Sequence, residues 1–564
     1  MSSERLFAPA AVSRGWPIMI AFATYVCAIV AAQLWFAVDP DNFHEEMRAL
    51  FRFHPWSDPA LFAGDYQASF LAAFPQPYLY EGVTRLWLWA GGDLVVLHRA
   101  FSVVCWLTLL LGMGLAARRL GNGITALGVV GLVAAQPLYL YQVTSAVPHA
   151  FGFPLLIWAV VAMLYGSLPG LVAVTLLSGL LYPALTPLAG LLLAWQVFVV
   201  RGFLSRGKRE KLVSLLLLAA TGALSLWLVF GALGGGSADF GAPLAPMQQV
   251  ETYPENGPEG RHFYGVFNPL TYVAGKAVGQ FRGAEVMVAL AVMLLCGGVA
   301  AYGLLALPRG SQARRALVGF FLCSVALGLA VYLLRPFHSY RFVLYPLFTF
   351  LPLLTVVGLQ CLCGRLERVL RRPEAAVLAG LALLVLPFDS FNAQKAGHRY
   401  HLGTPGQQVM AFAAARPADS VFAYWPTPVA ELELIPYLAK RPAFVVRKVH
   451  YPVYDDYTLT MRARMNALID AYLATQPAPL RALHCRWGVD FLVVEPTYFA
   501  EAGGRPEYFA PFDVRIARLW NSRRHGDFLL ASLPPAAVVL DTGVYRIVDL
   551  SFFSGGDCAA DPVD

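Results

Sequence analysis

Apolar residues in this chain come in long unbroken runs closed by short clusters of charge, not at the three-and-four spacing of a helix lying on a soluble core. The first run extends from Trp16 to Val38, with Arg5 and Arg14 ahead of it. It is too long for the core of a cleavable signal peptide and predicts a retained first membrane helix. Ten further spanning candidates follow, at Ala100–Ala117, Ala126–Leu140, Phe151–Tyr165, Leu171–Tyr182, Leu188–Val200, Leu212–Phe230, Val286–Leu307, Ala316–Leu334, Phe342–Leu359 and Ala375–Pro387. Several fall short of the ~20 residues that cross a bilayer, which predicts half-buried or broken helices among them.

Beyond residue 387 the pattern changes to short runs at soluble charge density. Helical patterns at Gln407–Ala415, Val429–Leu438 and Leu459–Ala474 alternate with strand patterns at Val421–Trp425, Ala443–Arg447, Phe491–Glu495 and Val538–Ile547. That order predicts a small α/β domain. The expected organisation is thus an α-helical polytopic membrane domain of about 11 helices over residues 1–387, with long outer loops at 39–99 and 231–285, followed by an α/β domain over 388–564.

Composition supports a membrane protein: 58% of the 564 residues are hydrophobic and 14% charged, against roughly a quarter charged in an average soluble chain. With 37 Phe, 25 Tyr and 8 Cys, neither a disordered chain nor a disulfide-stapled scaffold fits. Charge also sets an orientation. With the N-terminus in the cytoplasm, the inside segments collect 16 basic residues, among them Arg118, Arg119, Arg201, Arg206, Arg309, Arg314, Arg315 and Arg365, against four acids. Lys and Arg favour cytoplasmic loops, so the C-terminal domain is expected on the extracytoplasmic side of a cell membrane. The net charge of +7 is then a topology signal, and residues 388–564, with 17 basic and 18 acidic residues, carry no nucleic-acid footprint.

Candidate chemistry lies in the outer loops. The first is acidic and aromatic, and opens with Asp39-Pro40-Asp41 where the first helix leaves the lipid. Two carboxylates at this spacing can share a divalent cation such as Mg or Mn, or one can act as a base on a hydroxyl; equally, they can simply mark the water boundary. Asp65, in Phe62-Ala63-Gly64-Asp65-Tyr66, is a further catalytic candidate or a helix cap. The Gly- and Pro-rich start of the second loop predicts a gating segment, with no Walker or Rossmann pattern. Between two predicted spans lies Arg335-Pro336-Phe337-His338-Ser339-Tyr340-Arg341. Arginines on the outer face run against the topology bias, so Arg335, His338, Tyr340 and Arg341 form a candidate phosphate clamp, the alternatives being snorkelling or pairing with a first-loop acid. His149, in Pro148-His149-Ala150-Phe151, shares that face and reads as structural. Cys485 and Cys558 both lie where a disulfide is permitted.

An acidic first outer loop, a basic outer cluster and an outer α/β domain together resemble the GT-C superfamily of integral membrane glycosyltransferases, which includes protein O-mannosyltransferases and aminoarabinose transferases. The resemblance rests on Asp39-Pro40-Asp41, the Asp58–Asp65 stretch and Arg335–Arg341. It implies transfer of a sugar from a polyprenyl-phosphate donor to a lipid, glycan or protein acceptor. It also implies Asp39 or Asp41 as base or metal ligand, and Arg335 and Arg341 on the donor phosphate. The soluble domain lacks a WWD-type motif, which argues against the oligosaccharyltransferase branch. A polysaccharide polymerase or ligase and a lipid-linked saccharide transporter are the rival readings. A transporter calls for charges at mid-membrane depth, whereas here they gather at helix ends.

Overall fold

Within apolar runs the backbone must satisfy its own N–H and C=O groups, so the runs form helices. The computed structural model describes residues 16–233, 238–244, 251–257, 259–261, 284–334, 341–365, 400–427, 431–500, 503–554 and 558. In chain order these include α1 (Trp16–Val38), the strand β1 (Asn42–Phe43), a 3-10 segment (Glu45–Trp56), α2 (Tyr66–Ala72), α3 (Tyr78–Trp89), α4 (Leu94–Leu120), α5 (Gly123–Ala135), α6 (Pro137–Val143) and α7 (Gly152–Tyr165). Next come α8 (Leu168–Leu181), α9 (Thr186–Trp195), α10 (Lys208–Leu233), α11 (Ala284–Ala306), α12 (Gln312–Leu334) and α13 (Arg341–Arg365). Seven described helices are long and apolar enough to cross a membrane, and α5, α8 and the second half of α11 add shorter apolar stretches. The chain is a multi-pass, mostly helical membrane protein. The candidate at Ala375–Pro387 lies outside the described residues, and so do Arg335, His338 and Tyr340.

In two of the candidate spans a break interrupts the helix. The predicted Ala126–Leu140 helix is two, because Pro137 has no N–H to continue α5 and instead opens α6. Leu188–Val200 begins α-helical and ends in a π-helical turn at Gln196–Val200. Helices α11 and α13 cross closely enough that only glycine fits at the contact. A Cβ on Gly358 would stand 2.1 Å from the Val299 carbonyl oxygen, and one on Gly303 2.5 Å from that of Leu354. Small residues bring helix backbones together where lipid supplies no hydrophobic drive.

Arg119 and Arg201, with Gln312, lie together at one end of the bundle. Arg201 donates to the Gly166 carbonyl at 2.9 Å, Gln312 to that of Met163 at 3.2 Å, and the Arg119 guanidinium lies over Tyr165. The first long loop and the C-terminal region occupy the opposite end. There β2 (Tyr400–His401) pairs antiparallel with β1, and the chain continues through α14 (Thr404–Ala414), β3 (Phe422–Tyr424), α15 (Ile435–Leu438), α16 (Asp455–Tyr472), α17 (Ala478–Cys485), β4 (Phe491–Val494), α18 (Phe512–Asn521), β5 (Val538–Asp541) and β6 (Arg546–Asp549). The sheet order is β3-β4-β6-β5, with β3 and β4 parallel and the other pairs antiparallel. Both parallel strands are buried throughout, as helix-covered strands must be. The strand expected at Ala443–Arg447 is a single bridge, Phe422 to Ala443, because the chain there turns away to pack on the first loop. Cys485 and Cys558 form a disulfide.

The hydrophobic core is in two parts. One fills the helix bundle. The other joins first-loop residues such as Phe43, Met47, Phe51, Phe53 and Phe70 to Tyr424, Trp425, Tyr437, Tyr457 and Leu492 of the C-terminal region. Phe70 stacks on Tyr457 with ring centroids 3.5 Å apart. The aromatic residues of the first loop thus seat the C-terminal sheet region.

Candidate active site

Asp39 and Asp41 sit in the turn that ends α1. The Asp39 carboxylate accepts the Asp41 N–H at 3.0 Å, and the Asp41 carboxylate accepts from Gln407 at 3.0 Å. Arg99 closes the turn, donating to the Pro40 carbonyl at 2.7 Å, and its charge acts on both aspartates. Asp65 caps α2, accepting the Ala68 N–H at 2.6 Å. Burial pushes its carboxyl upward against the pull of that bond and of Arg464.

A few residues past β1 the first loop reaches a denser polar cluster. His44 caps the 3-10 segment, its Nδ1 accepting the Glu46 N–H at 3.1 Å, and its ring lies 4.6 Å from that of Tyr141 on α6. The Tyr141 hydroxyl donates to Glu45. The Glu46 carboxylate receives the Lys448 ammonium at 2.5 Å, from a residue 402 positions away in sequence. Burial raises the Glu46 carboxyl, but Lys448, His149 and His44 outweigh it and hold the group well below the usual carboxylate range. His149, in the 3-10 turn that leads into α7, is buried, and its backbone carbonyl accepts the Tyr345 hydroxyl of α13 at 3.1 Å. Arg341, the first residue of α13, is close enough to His149 for their charges to interact.

Beneath this cluster lies a buried support. Arg48 donates to Glu433 at 2.8 Å, and the opposite oxygen of Glu433 accepts the Arg447 N–H at 2.7 Å. Glu433 has no exposed side-chain surface, and Arg48 only 4%. The pair fixes the turn from which Lys448 reaches Glu46.

The structure therefore places Arg341 and the first-loop carboxylate of Glu46 both within electrostatic reach of His149. Asp39 and Asp41 lie beside Arg99, and Asp65 in the α2 cap. Glu46 and Glu45 were visible only as two of eight acids in a long loop. Lys448 and the Arg48–Glu433 pair had no signal in the sequence, since their partners lie hundreds of positions away.

Among the described residues, no group of three or more His, Cys, Asp or Glu side chains could hold a metal ion. Asp39 and Asp41 offer two carboxylates, each with one oxygen already hydrogen-bonded and with the Arg99 guanidinium alongside.

No protein-family model matches the chain, and no curated protein matches it in sequence. Solved structures match in fold. The Archaeoglobus fulgidus oligosaccharyltransferase, crystallised with Zn and sulfate, aligns over 86% of this chain and 68% of its own at TM-score 0.50 and 14% identity. ArnT from Cupriavidus metallidurans, bound to undecaprenyl phosphate, aligns over 95% of this chain and 98% of its own at TM-score 0.48 and 14% identity. The chain shares its fold with the Archaeoglobus fulgidus oligosaccharyltransferase.

Proposed function

We propose that this chain is a membrane glycosyltransferase that takes a sugar from a polyprenyl-phosphate donor and passes it to an acceptor on the extracytoplasmic side. One observation carries the reading: Glu46, Lys448, His149 and Arg341, from four segments far apart in sequence, converge at the end of an apolar bundle. A lipid-linked phosphate arriving along the helices meets Arg341 and Lys448 there, with Arg335, His338 and Tyr340 assigned to the same clamp. The gathering of arginines at the opposite end of the bundle supports placing the site outside the cytoplasm.

The chemistry follows from the charges. At rest Glu46 is ion-paired and a weak base. When the donor phosphate takes the Lys448 ammonium, Glu46 loses its counter-ion and its proton affinity rises. It then removes the proton from the acceptor hydroxyl as that oxygen attacks the anomeric carbon. The bond from that carbon to the phosphate oxygen breaks, and the cations hold the departing phosphate. The Zn in the Archaeoglobus fulgidus structure motivates a divalent cation at Asp39 and Asp41, which chelation of the purified protein would reveal as lost activity.

The resemblance assigns the base to Asp39 or Asp41, and the same experiment decides between these and Glu46. Transfer from a synthetic polyprenyl-phosphate sugar is measured for Glu46→Gln, Asp39→Asn, Asp41→Asn and Arg341→Gln. The expected result is a loss of roughly 10²-fold or more in Glu46→Gln and Arg341→Gln. Full activity in Glu46→Gln with loss in Asp41→Asn moves the base to the helix-end turn. Full activity in all four overturns the site.

A further inference from the structure

A second basic site lies beside the first, on its C-terminal-domain side. The second long loop crosses onto this domain: Leu244 N–H donates to the Val453 carbonyl at 2.9 Å, and Asp455 N–H to that of Ala242 at 3.0 Å. Farther along, Arg462 grips Glu255 through two bonds of 2.7 Å, and Arg261 N–H donates to the Glu255 carbonyl at 2.8 Å. This anchoring delivers the Arg261 side chain to Arg447, whose carbonyl it contacts at 3.3 Å. The Arg447 guanidinium lies over Tyr508 at 4.9 Å and Phe509 at 5.3 Å. Tyr508 is itself held by a 3.1 Å contact between its hydroxyl and His450, which is fully buried.

Neither Arg261 nor Arg447 forms an ion pair with a described carboxylate. The nearby acids are committed elsewhere: Glu433 to Arg48, Glu255 to Arg462 and Glu46 to Lys448. Stacking on an aromatic face leaves the edge of a guanidinium, with its paired N–H donors, open to a planar or tetrahedral oxyanion. Burial lowers the Arg447 pKa, with Tyr508 and Glu433 opposing and Arg261 and Arg48 adding to the effect. A half-buried cation beside a second cation is a costly arrangement without an anion, and a bound oxyanion offsets it.

We propose that Arg261 and Arg447 form an oxyanion-binding subsite that holds a phosphate or carboxylate on the acceptor, Tyr508 and Phe509 serving as its floor. It rests on the glycosyltransferase reading for the word acceptor, and on geometry alone for the anion. The subsite is distinguished from the donor clamp by Arg261, which comes from the second loop, and by its aromatic floor, whereas the clamp is built on Lys448 and on Arg341 at the head of a membrane-crossing helix. Lys448 follows Arg447 directly, so an acceptor anchored here would present a neighbouring hydroxyl towards Glu46.

The test titrates the full-length protein in detergent with inorganic phosphate and, separately, with glucuronic acid, by calorimetry at low ionic strength. Arg341→Gln weakens the donor clamp as a competing site. Against that background, R261Q/R447Q is expected to weaken the tighter-binding probe at least tenfold, and that probe identifies which oxyanion the acceptor carries. If the glutamine pair fails to fold, R261K/R447K keeps the charge without the planar fork and is expected to weaken binding at least threefold at an unchanged melting temperature. Equal binding with and without the arginines, or binding of neither probe to the Arg341→Gln protein, overturns the subsite. Donor turnover is measured in parallel. Anion binding that depends on the arginine pair, in a protein inert towards every lipid-linked sugar, retains the anion site and discards its assignment to an acceptor.

Discussion

Two glutamates show how position decides what a carboxylate does. Glu46 is held ionised by Lys448 and two histidines despite its burial. Glu495 is instead pushed up to about 7 by burial and by the nearby Glu431. The signs oppose. Glu46 contributes stability above the ordinary carboxylate pKa and loses it as pH falls through its depressed folded value. Glu495 binds its proton more tightly folded than unfolded, so its contribution is complete below about pH 4 and is lost as pH rises towards about 7. Glu495→Gln is therefore expected to flatten the decline in melting temperature between about pH 5 and pH 7, and to melt higher than the parent at pH 8. An unchanged slope would mean that this carboxyl titrates normally. Neither environment is legible along the chain: Glu46 looks like any acid of an acidic loop, and Glu495 like the end of an apolar strand.

Among elements, the join between the first loop and the turn after α15 matters most. The 3-10 segment supplies Arg48, the stretch before α15 supplies Glu433, and the two meet in a dry contact. Removing one member of a buried ion pair strands the other, at a cost of about 3–5 kcal/mol. Arg48→Met should lower the melting temperature in detergent sharply, and Arg48→Met with Glu433→Leu should recover part of the loss, since the second change removes the stranded charge. The single variant should also weaken transfer, because the Lys448 turn hangs from Glu433. Parent-like melting in Arg48→Met would show that the pair does not hold the join. Helix positions were readable here because an apolar run has one way to satisfy its backbone in lipid. The breaks at Pro137 and at the Gln196–Val200 π-turn lay inside those runs, and α17 and α18, short and half-polar, gave a weaker pattern than the strands beside them.

For the whole molecule, the disulfide between Cys485 and Cys558 closes a loop across the C-terminal sheet domain, with a sequence separation of 73. Chain entropy over such a loop corresponds to about 4 kcal/mol. Cys485→Ser is expected to destabilise the C-terminal region, seen as faster proteolysis of that region in the intact protein, and reduction of the parent should reproduce the effect. Parent-like proteolysis after both treatments would show the crosslink to be dispensable. Long apolar runs and a change in charge density were enough to indicate a polytopic helical protein with a C-terminal sheet, because hydrophobicity and charge act through the bilayer wherever the chain goes. The convergence of Glu46, His149, Arg341 and Lys448, and of Arg261 with Arg447, was decided by tertiary structure alone. Such contacts join residues up to hundreds of positions apart, and local periodicity holds no record of which loops will meet.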